Sequence, residues 1–156
     1  MFRKILLPVE HSSYDAAIVE YVRDLAKSCG ASVVVIHVAD GFAARNLKEL
    51  ALRESEEMRE DREYVEQVAA QLAAAGLTTD CILAGGEPST EIREAAEREG
   101  CDLIAMATHG HRFFKDLIYG SVANEVRHAS RVPVLLVLGT PGPRRPGAPA
   151  PAPAAT

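Results

Sequence analysis

The chain has 156 residues, of which 47% are hydrophobic and 25% charged, with a formal net charge of −5. These proportions suit a folded domain large enough to bury its own core. The acidic balance argues against a general affinity for nucleic acid or acidic membranes, and no apolar run is long enough to span a bilayer.

Residues 3–9 open with Arg3 and Lys4 and continue as an apolar run, a superficially signal-like start. The run is short and meets Glu10 at once, so it reads as a first strand buried on both faces, and a cytoplasmic location is expected. Ser12 and Asp15 stand in capping-box spacing ahead of a helix whose Ile18, Tyr21, Val22, Leu25 and Cys29 share one face, and Gly30 stops it. Residues 32–38 are a β-branched run and form the second strand. Beyond Gly41, Leu47, Leu50, Ala51, Met58, Val65, Val68, Leu72 and Ala75 keep helical spacing as far as Gly76. The middle of that helix, residues 53–66, holds three arginines and seven acids, 3 − 7 = −4, and reads as a solvated face.

Residues 78–83 form a third strand, residues 84–87 a turn, and Pro88 opens a helix that points Ile92, Ala95 and Ala96 inward. Residues 102–106 form a fourth strand, residues 121–130 a helix, and residues 132–138, from Val132 to Leu138, a fifth strand. The domain is expected to span residues 1–139. Residues 140–156 hold six of the nine prolines and read as a disordered Pro/Ala-rich tail. Cys29, Cys81 and Cys101 are odd in number, lack C-x-x-C spacing, and read as buried free thiols.

Strands alternating with helices imply right-handed crossovers and a mostly parallel sheet covered on both faces. The segment between the fourth strand and the last helix draws attention for its chemistry. Strand, glycine-bearing loop and helix start is an arrangement that holds phosphate, because glycines let backbone approach the anion and the helix's unpaired N–H groups point at it. Neither G-x-x-x-x-G-K-[ST] nor an early G-x-G-x-x-G is present. What remains is small-x2-Gly-x9-Gly-Ser, with Ala107, Gly110, Gly120 and Ser121 at the fixed places. Residues 107–131 carry four Arg/Lys and two acids, 4 − 2 = +2, so this is the locally basic part of an acidic chain. Arg112 or Lys115 is placed to neutralise phosphate charge. His109, His111 and His128 do not make a protein-only metal site, since H-x-H brings side chains together on a strand and this segment reads as a loop. A Mg or Mn ion arriving with phosphates needs few protein ligands. No nucleophile elbow or paired carboxylates point to catalysis, so no catalytic residue is assigned.

The spaced loop resembles the G-x2-G-x9-G-[ST] motif of the universal stress protein family, with Ala107 in place of the first glycine. If that position is left-handed, alanine costs about 1–2 kcal/mol; if the glycine serves close approach, the methyl group excludes the ligand. Pro8-Val9-Glu10-His11-Ser12 resembles the family's P-[VT]-D-x-S, with glutamate for aspartate, and His37-Val38 resembles its H-V segment, His37 itself reading as structural. The resemblance implies an α/β fold, an open five-stranded parallel Rossmann-like sheet of order 3-2-1-4-5 with helices on both faces. It implies ATP as ligand, held by Pro8, Val9, Glu10, Val38, Met106, Ala107, Gly110, Arg112, Gly120, Ser121 and Val122 beside the winding reversal. It also implies a homodimer paired through Val132 to Leu138, which would cover an apolar edge strand. The function expected is a nucleotide-dependent stress-response module with an unidentified protein partner and at most weak ATP hydrolysis. The alternatives are a slow ATPase or phosphotransfer enzyme in the same crevice, and a dimeric scaffold that binds no nucleotide.

Overall fold

The computed structural model describes residues 1–39, 56–109 and 121–139. In chain order the elements are β1 (Lys4–Pro8), α1 (Asp15–Cys29), β2 (Ser32–Ala39), α2 (Glu56–Ala74), β3 (Thr79–Gly85), α3 (Pro88–Arg98), β4 (Leu103–His109), α4 (Ser121–Ala129) and β5 (Val134–Gly139). Leu47, Leu50 and Ala51 of the expected long helix, and the tail, lie outside the described residues.

The strands form one parallel sheet in the order β3-β2-β1-β4-β5, as expected. Period-two geometry explains why its central strands lack polar alternation. Ile5 and Leu7 of β1, Val33 and Val35 of β2, and Leu103 and Ala105 of β4 point to one side, where they meet Ile18 and Val22 of α1 and Val65 and Leu72 of α2. Leu6, Val34, Ile36, Ile104 and Met106 point to the other, against Ile92 and Ala95 of α3 and Ala123 and Val126 of α4. Each central strand therefore needs apolar side chains at every position.

The structure corrects several expectations. β4 runs three residues beyond 102–106, because Ala107, Thr108 and His109 pair with Val137, Leu138 and Gly139 of β5. His109 thus ends a strand and does not belong to a loop. β5 starts at Val134, not at Val132: Pro133 has no N–H to give a ladder, although its carbonyl accepts from the Ile104 N–H at 3.0 Å. Only half of the expected Ser12–Asp15 capping box forms. Tyr14 is the N-cap residue, with no side-chain cap bond, while the Asp15 carboxylate reaches back to the Glu10 and Ser12 N–H groups at 2.9 and 3.0 Å. Tyr21 is exposed rather than packed. Of the three thiols Cys101 is buried, Cys29 is half-buried, and Cys81 on edge strand β3 is exposed.

Helix α3 is fixed at its start by Glu87, whose carboxylate accepts from the Ser89 N–H at 3.1 Å and the Thr90 N–H at 2.8 Å, with Pro88 in the first turn. Hydrogen bonds from Thr90 above all, and then from Ser89, hold this carboxyl down at about 2. A folded-state value below the unfolded one means the cap stabilises above about pH 4.5 and fades as pH falls towards 2. Glu87→Ala should cost about 1 kcal/mol at neutral pH, with the difference from the parent shrinking below about pH 4.5; urea unfolding across pH measures it.

Candidate functional site

A cavity of about 530 Å³ lies beyond the carboxyl ends of β1, β2 and β4. β1 and β4 are neighbours, and the direction of winding reverses between them, the place where open α/β sheets leave a crevice. The first turn of α3 contributes Pro88 to its wall and the first turn of α4 contributes Val122. Two helix starts therefore border the space: α4 brings a partial positive charge and its first N–H groups, whereas the first amides of α3 are already taken by Glu87. The volume falls within the range of small-molecule sites.

Of the eleven residues singled out in the sequence, Pro8, Val9, Glu10, Val38, Met106, Ala107 and Val122 line this cavity. Ser121 opens α4 and is exposed, and it does not line the cavity. Gly110, Arg112 and Gly120, with His111 and Lys115, lie outside the described residues. Ala107 has a decisive geometry: it pairs in parallel register with Val137, and among the described residues His11 is the non-glycine residue with positive φ. Alanine therefore carries no left-handed penalty here, and the residue lines the cavity.

The turn after β1 is tied down from three directions. The Val9 N–H donates to the Ile36 carbonyl at 2.8 Å, and His37 donates from Nδ1 to the Val9 carbonyl, also at 2.8 Å. His37, read from sequence as structural, thus orders the backbone of the cavity wall while lining it. Asp15, 2% exposed, accepts from the Glu10 and Ser12 N–H groups and from the Tyr64 hydroxyl at 2.6 Å, which satisfies a buried carboxylate with three donors. His11 stands at φ 59°, a backbone state that costs a non-glycine residue about 1 kcal/mol. Its ring stacks on Tyr64 with centroids 4.2 Å apart, and its Nδ1 lies 2.8 Å from Asp61 Oδ1.

Asp61 is the residue that sequence reasoning missed. It lies in the charged middle of the helix yet is 8% exposed, and it lines the cavity with Glu57 and Glu60. The signal was its phase: Asp61 falls on the same stripe as Met58, Val65, Val68 and Leu72, all of them buried. An acid in a core stripe needs partners, and His11 and His37 supply them. Among the described residues no group of His, Cys, Asp and Glu is arranged to hold a metal ion.

A model of the universal stress protein family matches residues 1–137. The chain belongs to the universal stress protein family. It is 28% identical over 154 residues to universal stress protein MJ0577 of Methanocaldococcus jannaschii, an alignment that covers 88% of this chain and 95% of that one. The solved structure of MJ0577 superimposes with a TM-score of 0.74 at 29% identity, covering 88% of this chain and 96% of that one. The universal stress protein of Archaeoglobus fulgidus in complex with dAMP shares the fold at a TM-score of 0.64 and 21% identity, over 86% and 96% of the two chains. Another family structure, in complex with cAMP, does so at a TM-score of 0.64 and 18% identity, over 89% and 99%. Among the described residues of this universal stress protein no helix is long and apolar enough to cross a membrane.

The hold on Val9 gives a direct test of the wall. His37→Leu leaves the Val9 carbonyl without its 2.8 Å donor, and should destabilise the domain by about 1–3 kcal/mol, measured as a lowered urea midpoint at unchanged slope.

Proposed function

We propose that this universal stress protein is a cytoplasmic stress-response module that binds ATP and meets an unidentified protein partner according to nucleotide occupancy. The observation that carries the reading is the open cavity at the winding reversal, bordered by two helix starts and by Ala107, the first residue of the spaced loop motif. In this reading Pro8, Val9, Glu10 and Val38 face the nucleoside. Met106, Ala107 and Val122, with Gly110, Arg112, Gly120 and Ser121, receive the phosphates, and a Mg or Mn ion travels with them. Support comes from the complexes of two family members with dAMP and cAMP, and from the positive local charge of residues 107–131. The cavity geometry adds that alanine is free of backbone strain at position 107.

The protein acts as a homodimer paired along the last strand. β5 is at the sheet's edge and carries Leu138, 62% exposed, a row of backbone groups and apolar surface that a second copy would cover.

Three measurements test these statements. ATP at a hundred times its dissociation constant should add about 2.7 kcal/mol to the unfolding free energy, read as a raised melting temperature; no shift at millimolar ATP would overturn the nucleotide reading. Ala107→Leu, which fills the cavity from its wall, should remove the ATP effect while the unliganded domain still melts cooperatively. Leu138→Asp should convert a dimer into a monomer in light scattering at tens of micromolar, and a parent protein already monomeric there would contradict the pairing.

A further inference from the structure

We propose that Asp61 is a positioning residue of the nucleotide cavity: from helix α2 it bridges His11 and His37 and so sets the turn Val9-Glu10-His11 that faces the nucleoside. The inference rests on the ATP-binding reading and adds to it a residue on an element that the spaced loop motif does not include.

Asp61 Oδ1 lies 2.8 Å from His11 Nδ1, and Oδ2 lies 3.4 Å from His37 Nε2. The other nitrogen of His37 is committed to the Val9 carbonyl at 2.8 Å. One carboxylate thus holds the side chain that follows Glu10 and the side chain that anchors the residue before it. The backbone state of His11 explains why a hold is required. A non-glycine residue at φ 59° persists only where its surroundings over-determine it. Asp61 and the stacked Tyr64 ring are those surroundings. Asp15 pins the Glu10 and Ser12 amides from the far side. With Asp61 removed the turn keeps its amide bonds to Asp15 and the Tyr64 stack but loses the carboxylate that fixes the His11 and His37 rings, so Glu10 no longer faces the cavity in one orientation.

The test combines ATP titration calorimetry with amide hydrogen exchange, on the full chain and its Asp61→Ala and Asp61→Asn variants, each first checked for cooperative unfolding. Asp61→Ala should weaken ATP about tenfold and speed exchange at the Glu10 and Ser12 amides. Asp61→Asn keeps an oxygen acceptor for His11, the shorter of the two contacts, and should recover affinity to within about threefold of the parent. Parent-like ATP binding by Asp61→Ala overturns the proposal. So does an Asp61→Asn variant as weak as Asp61→Ala, since charge rather than bridging would then be responsible. If the parent itself binds no ATP, the functional reading fails separately, and exchange alone decides the bridge: faster exchange in Asp61→Ala supports it, unchanged exchange overturns it.

Discussion

The structure depends on one constraint: a parallel sheet buried on both faces must split its helices between them. Because β1 lies between β2 and β4, the chain leaves it first towards one edge and later returns towards the other. Helices α1 and α2 therefore pack on one face and α3 and α4 on the other. Where the two windings part, a cavity opens beyond the carboxyl ends of β1 and β4. The cavity is a consequence of topology before it is a matter of side chains.

Chemistry is then added to the opening at little energetic cost. The start of α4 brings oriented N–H groups that need no charged side chain, and a strand residue as small as Ala107 keeps the wall low. The opposite wall is more expensive. It includes a residue in the left-handed region, His11, and the carboxylate of Asp61, 8% exposed, and it is tied from behind by Asp15, 2% exposed. Such investments persist where the surroundings compensate them, and here each carboxylate has donors in place.

Much of the architecture was legible in the chain because its signals are local. Continuous β-branched runs mark strands covered on both sides, and Gly30, Gly76 and Gly100 fall at the helix ends with positive φ. Pairing was less legible, because it depends on residues distant in sequence. Ala107-Thr108-His109 read as loop beside Gly110, yet Val137–Gly139 draw them into the sheet. Pro133 shortened β5 through a missing N–H that matters only once the neighbouring strand is known. Asp61 was hidden for the same reason: its main partner, His11, is fifty residues away. Its place on the buried stripe of α2 was visible, but composition drew the eye to a charged, solvated face instead.

The central claim is that the cavity between β1 and β4 holds an adenine nucleotide. Native mass spectrometry of the purified protein, before and after incubation with millimolar ATP, tests it most directly. The account predicts a bound mass equal to one adenine nucleotide per chain, carried through purification or gained on incubation, and absent from Ala107→Leu. A bare chain in both spectra, or equal uptake by Ala107→Leu, would contradict it.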